Sequence, residues 1–203
     1  MSGYSSLGDV IKDAALVGLL GMSIWGGASF VHRHRIAREE AVMNANLKRT
    51  DFPMDYQWYL RTLNGTPVHL ASFKGKVLFI NIWATWCPPC IGELHSIERL
   101  YSRYKNQRDV AFLIISEEVS TPVVKFMHKH SYDFPVYLML GQRPSVLQSQ
   151  AIPITFIVSK DGRIVGKATS GLNWDTELPK QIIDGLTIAG AEGAGGALSA
   201  RDE

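Results

Sequence analysis

Hydrophobic positions along this chain fall into unbroken runs, alternating stretches and helix-period stripes, and each kind predicts a different element. Val77 to Ile82 and Val110 to Ile115 are short and almost wholly apolar, which predicts strands buried on both faces. Tyr56 to Leu63 and Pro67 to Leu70 flank Asn64-Gly65, and Ile154 to Ser159 and Ile164 to Ser170 flank Asp161-Gly162. Such dipeptides supply the positive φ of a tight turn, so both pairs predict hairpins. Ile91 to Lys105 reads as an amphipathic helix. Ser120-Thr121-Pro122 opens another, with proline near its first position, running to about His130. Phe134 to Leu140 reads as extended, Pro144 to Gln150 as a short helix, and Thr176 to Ala189 as a last helix. Helix-linked strands followed by a terminal hairpin and helix predict an α/β fold, a mixed sheet with helices on both faces.

The ends of the chain are patterned differently. Ala14 to Val31 carries no charge over 18 residues, and only Ser23 and Ser29 interrupt it. At ~1.5 Å per residue the run approaches the ~30 Å hydrocarbon core of a bilayer. We therefore expect a transmembrane anchor over 14–31, after an N-terminal tail over 1–13. A cleaved signal sequence fits less well, because Met1 to Val10 carries no basic residue and Arg33 and Arg35 closely follow Gly27-Ala28-Ser29. A buried helix is the other alternative. Small residues at Ala14/Gly18 and Ser23/Gly27 have the spacing that packs a second helix, but a Gly-rich run produces it by chance equally well. Residues 32–50 read as a linker or stalk, with good helix formers from Ile36 to Lys48. The main domain spans 51–189, and the Gly/Ala-rich stretch 190–203 reads as a disordered tail.

A net charge of +2, with no basic stripe interleaved with aromatics, gives no reason to expect nucleic acid as a partner. There are two cysteines, Cys87 and Cys90. A pair so close constrains little as a structural staple, and a structural zinc site needs four ligands. His128 and His130, two apart, point to different faces of a helix, so no metal set is assigned there.

The chemistry lies in Trp83-Ala84-Thr85-Trp86-Cys87-Pro88-Pro89-Cys90, between a buried strand and a helix. Cysteines at i and i+3 on a first helical turn can close a disulfide and reopen it. Unpaired N–H groups and the positive dipole end stabilise a thiolate there, and thiolate is the attacking species in disulfide exchange. Pro88 and Pro89 preset φ for the turn and remove two N–H groups. Glu93, three residues past Cys90, lies on the same stripe.

From Asp51 to Ala189 the chain resembles the TlpA/ResA-like branch of the thioredoxin superfamily. Asn64-Gly65-Thr66-Pro67-Val68, Gly75-Lys76, Asn81 to Cys90, Ile152-Pro153-Ile154-Thr155-Phe156 and Lys160 to Val165 carry the likeness. It implies a thioredoxin-like fold with an N-terminal hairpin, and a thiol–disulfide oxidoreductase needing no cofactor beyond its dithiol. Cys87 would be the attacking thiolate with an exposed sulfur, and Cys90, more buried, would resolve the mixed disulfide. Glu93 matches an acidic residue the family places beneath its cysteines. Buried there, it would have a raised pKa and move protons to and from the thiols. Pro153 matches a cis-proline facing the cysteines, which would present the Ile152 backbone to an extended substrate. Trp86, with Pro88 and Pro89, would contact substrate, and Trp83 would pack in the core.

Plainer readings stand beside these: buried structural thiols, a solvated Glu93, a trans Pro153. Asn81 stands where many thioredoxins carry a buried acid. His95 occupies a position where the superfamily often has a kinking proline, and reads as helix filler. Thr85 and Thr155 read as loop hydroxyls without a role, and Glu117 and Glu118 as solvated residues of a loop that could border the site.

Membrane-bound members of the family usually face the periplasm, where they commonly reduce disulfides in proteins awaiting haem or copper. That implies disulfide-bearing protein substrates and a membrane thiol electron donor. The loop after Pro153 lacks the acidic residue of dedicated cytochrome c maturation thioredoxins, so that narrower role is not assigned. Charge argues against a periplasmic domain. Arg33, Arg35, Arg38, Lys48 and Arg49 follow the apolar run and Lys12 alone precedes it, which by the positive-inside rule favours a cytoplasmic domain. We side with the family, since a segment with a short N-terminal tail can export the chain beyond it. Two other functions fit less well. A related thiol peroxidase wants a Pro-x-x-x-Thr-x-x-Cys loop, and Ile80 and Ala84 occupy the proline and threonine positions before Cys87. A non-catalytic binding module would hold its partner without either cysteine.

Overall fold

The computed structural model describes residues 31–195. The expected anchor lies outside the described residues except for Val31, as do the N-terminal tail and residues 196–203. Among the described residues no helix is long and apolar enough to cross a membrane. The chain divides into two units, Met1–Ala41 and Val42–Glu203. Residues 31–46 are helical (α1).

Among the described residues of the second unit, eight strands form one sheet in the order β1-β8-β7-β4-β5-β6-β2-β3. They are β1 (Lys48–Pro53), β2 (Tyr59–Thr62), β3 (Pro67–His69), β4 (Val77–Trp83), β5 (Val110–Ser116), β6 (Val136–Leu140), β7 (Ile154–Val158) and β8 (Arg163–Ala168). β4, β5 and β6 run parallel, and the remaining pairings are antiparallel. Both predicted hairpins form, β2–β3 and β7–β8, with Gly65 at φ 95° and Gly162 at φ 82°. The helices are α2 (Pro88–Tyr104), α3 (Ser120–His130) and α4 (Glu177–Gly195).

β4 is central and wholly buried, and its two-residue period divides the core. Val77, Phe79 and Trp83 point to one side with Leu94, Ile97 and Leu100 of α2, Val123 of α3 and Ile183 of α4. Leu78, Ile80 and Ile82 point to the other, with Trp58, Leu60, Leu70, Leu147 and Phe156. Helices on both faces were expected, yet the buried apolar residues of α2, α3 and α4 all fall on the Phe79 side. The opposite face is covered by the Met54–Trp58 segment and by short 3-10 turns at Leu70–Phe73 and Ser145–Leu147. The reason is handedness. β4 to β5 to β6 steps one way across the sheet, and right-handed crossovers then set α2 and α3 on the same side.

The domain also starts earlier than residue 51. Met43 and Leu47 are buried in the α2-side core, and Lys48–Pro53 pairs with β8. At the other end α4 runs to Gly195, six residues past the predicted stop at Ala189.

Candidate functional site

α2 begins where β4 ends, at the carboxyl edge of the parallel strands. Cys87 is its N-cap residue, and Pro88 and Pro89 occupy the first two helical positions. Both lack an N–H. The first free amide of the helix is therefore Cys90 N–H, which donates to Cys87 Sγ at 3.3 Å. An amide at a helix mouth, aimed at sulfur, stabilises negative charge on it. Cys87 and Cys90 form a disulfide, with Cα atoms 5.2 Å apart. Cys90 is fully buried, as expected. Cys87 is 3% exposed in this oxidised form, which corrects the expectation of an exposed sulfur. The Ile152–Pro153 loop covers it: the peptide bond is cis, and the Ile152 carbonyl oxygen lies 3.8 Å from Cys87 Sγ. Trp86 is 70% exposed and stands out beside the disulfide, with Pro88 and Pro89 also at the surface.

Glu93 lies one turn beyond Cys90 on the buried face of α2. Its carboxyl is enclosed but not orphaned. Asn81 Nδ2 of β4 donates to Oε1 at 2.7 Å. Leu172 N–H and Trp174 Nε1–H donate to Oε2 at 3.2 and 3.0 Å. Burial disfavours the charge and outweighs these three bonds, raising the pKa to about 7. Asn81 Nδ2 also donates to Thr155 Oγ1 at 2.9 Å, which links Glu93 to β7, just past Pro153.

Two residues that read as passive in the sequence take part in holding the site. Thr155 lies on β7 as Asn81's second acceptor. Thr85 N–H and Oγ–H both donate to Glu118, at 2.6 and 2.8 Å, and Ser116 Oγ–H donates to the same carboxylate at 3.2 Å. Glu118 thus pins the β4–α2 loop that presents Trp86 and Cys87. Glu117 is paired with the buried Arg143. Nothing in the local pattern of Glu117-Glu118 signals this, because Thr85 and Arg143 are distant in sequence. His95 is exposed on α2, its ring edge-on to Tyr132. Among the described residues no cluster of three His, Cys, Asp or Glu side chains is placed to hold a metal ion.

The arrangement suits thiol chemistry: a reversible disulfide at a helix mouth, a donor for the outer sulfur, and a buried acid beneath with a pKa near neutrality. Comparison with known proteins agrees. The Redoxin family profile matches residues 48–181. The chain is 32% identical over 106 residues to "Thiol-disulfide oxidoreductase ResA" of Bacillus cereus, covering 52% of this chain and 61% of that protein. It is 31% identical over 116 residues to the ResA of Halalkalibacterium halodurans, covering 56% and 65%. The chain thus spans less than two thirds of these curated relatives. A solved putative thiol-disulfide oxidoreductase from Bacteroides vulgatus is 30% identical, covers 68% of this chain and 93% of its own, and superposes with a TM-score of 0.54. The profile spans both cysteines, Glu93 and the Pro153 loop, so the chain belongs to the Redoxin family, and its likeness to the ResA proteins and to the Bacteroides vulgatus structure makes it a TlpA/ResA-like thioredoxin protein.

Proposed function

We propose that this protein is a membrane-anchored thiol–disulfide oxidoreductase that reduces disulfides in extracytoplasmic proteins, such as haem or copper protein precursors. The observation that carries the reading is the Cys87–Cys90 disulfide, capped by the Ile152–Pro153 loop and underlain by Glu93.

The reaction starts from the reduced dithiol. Cys87 thiolate attacks one sulfur of the substrate disulfide, a mixed disulfide forms, and the other substrate sulfur leaves and takes up a proton. The Cys90 thiol gives its proton to the Glu93 carboxylate and attacks Cys87 Sγ. The second substrate thiolate leaves. Two electrons have passed to the substrate, and the Cys87–Cys90 disulfide has formed. A dithiol electron donor in the membrane returns the protein to its reduced state. Glu93 suits the proton step because, with a pKa of about 7, it is populated in both forms near neutral pH. Trp86, Pro88, Pro89 and Ile152 surround the outer sulfur and form the surface a substrate chain would meet.

The remaining parts of the reading rest on the sequence. Ala14 to Val31 would insert in the lipid bilayer and hold the domain at the periplasmic face. Cytochrome maturation is one process such a reductant would serve.

The test is a trap. Cys90→Ser in the full-length chain, expressed in its native membrane, leaves Cys87 unable to be resolved. Discrete mixed disulfides through Cys87 are expected, and their partners identify substrate and donor. A reactive Cys87 that captures no protein would overturn the reading, and peroxide consumption by the purified chain would then point to a peroxidase.

A further inference from the structure

The β8–α4 connection, from Gly171 to Trp174, is bound to the active-site helix more closely than a connecting loop requires. Ser96 of α2 ties it twice, its hydroxyl lying 3.3 Å from the Leu172 carbonyl and accepting from Trp174 N–H at 3.0 Å. Gly171 sits so near the first turn of α2 that a Cβ there would come within 2.7 Å of the Pro89 carbonyl oxygen. Trp174 is fully buried, edge-on to Phe79 at 5.0 Å between ring centroids. Its single side-chain polar atom, Nε1–H, is spent on Glu93 Oε2. Leu172 N–H is spent on the same oxygen.

We propose that the Gly171–Trp174 loop is a positioning element for disulfide exchange, fixing the Glu93 carboxyl beneath the cysteines through the Trp174 indole and the Leu172 amide. The inference rests on the oxidoreductase reading and names a part of its machinery that lies outside the Cys-Pro-Pro-Cys and cis-proline segments. Two of the three donors on Glu93 come from this loop, against one from β4. Donors favour the charged carboxylate, so the loop opposes burial and brings the acid's proton affinity down toward neutrality. The groups bonded to the carboxyl are uncharged: Asn81 from β4, with Thr155 of β7 behind it, and Leu172 and Trp174 from the loop. The titratable groups on its own helix face are Cys87 and Cys90. His95 and Arg99 line the cleft of about 450 Å³ between α2 and the loop, which Glu93 also borders.

Trp174→Phe keeps the aromatic packing and deletes the N–H. One lost hydrogen bond to a charged group should shift the Glu93 midpoint upward by roughly one to two pH units. The midpoint is read by carboxyl 13C NMR on the oxidised full-length chain, where neither cysteine titrates, with Glu93→Gln to assign the signal. Ser96→Ala, which unties the loop but leaves Trp174 in place, should move the midpoint the same way by less, and stands in if Trp174→Phe does not fold. The pH profile for reduction of a disulfide-bearing protein should shift in step. A midpoint unmoved in both variants would overturn the proposal, since lost packing alone lowers stability without changing this titration. A midpoint that moves while the exchange profile stays put would overturn its role in exchange. A parent chain inert toward every disulfide would instead defeat the oxidoreductase reading, and the titration would still decide whether the loop sets Glu93.

Discussion

Burial of Glu93 outweighs its three hydrogen bonds and raises its pKa to about 7, so both of its protonation states are populated near neutral pH. That balance suits the proton transfer proposed for it, and it also marks the stability of the fold. The folded pKa of about 7 lies above the ordinary value of 4.5. Between those values the folded chain holds a proton that the unfolded chain has released. The contribution is therefore fully present below the lower value and is lost as pH rises through the upper one, by about 3 kcal/mol. Glu93→Gln has no charge to bury. Denaturant unfolding of the oxidised protein at about pH 4 and about pH 8 should show the parent losing that much more stability than the variant. Equal losses in the two would place the titration elsewhere. Glu93 is legible in the sequence because three-residue spacing on a helix fixes a face. Its partners are not. Leu172 and Trp174 lie 79 and 81 residues away, and no local period connects them to α2. The Thr85–Glu118 link is hidden for the same reason: a hydroxyl and a carboxylate 33 residues apart meet only after β4 and β5 have paired.

At the scale of elements, those with one dominant period are legible. β4 and β5 read as apolar runs, α2 as a stripe, and the hairpins from Asn64-Gly65 and Asp161-Gly162. β1 escapes such a reading because Lys48–Pro53 has no alternation. It is an edge strand, almost wholly exposed, and its register slips between Arg49 and Phe52. Such edges are held by backbone pairing, which leaves little trace in side-chain pattern. Its attachment to the core comes instead from the residues before it. Met43 is 1% exposed and Leu47 8%, both on the Trp174 side. The end of the segment that reads as a stalk is thus part of the domain. Met43→Ala should lower unfolding free energy by about 2–4 kcal/mol, as truncation of a buried Met does elsewhere. Replacing the exposed Val42 by Ala should change it by less than about 0.5 kcal/mol. Matched small losses, measured by denaturant titration, would mean that the helical stretch before β1 is dispensable to the core.

For the whole molecule, the proposed anchor would set the domain on one side of a membrane, and two physical arguments point to opposite sides. Five basic residues soon after the apolar run, against one before it, favour retention of the domain in the cytoplasm. Redox compartment argues the other way, because the proposed reductant of extracytoplasmic disulfides would have to meet its substrates where disulfides persist. We expect the second to prevail. The molecule offers a clean probe, since its two cysteines are its only ones and both lie in the site. In a Cys87→Ser/Cys90→Ser background, Val119→Cys places a single thiol on a residue that is 74% exposed and outside the sheet. A membrane-impermeant maleimide should label that thiol in intact cells to the same extent as after lysis. Labelling only after lysis would place the domain in the cytoplasm. The charge pattern would then be the true topological signal, and the substrates of the dithiol would have to be sought among cytoplasmic proteins.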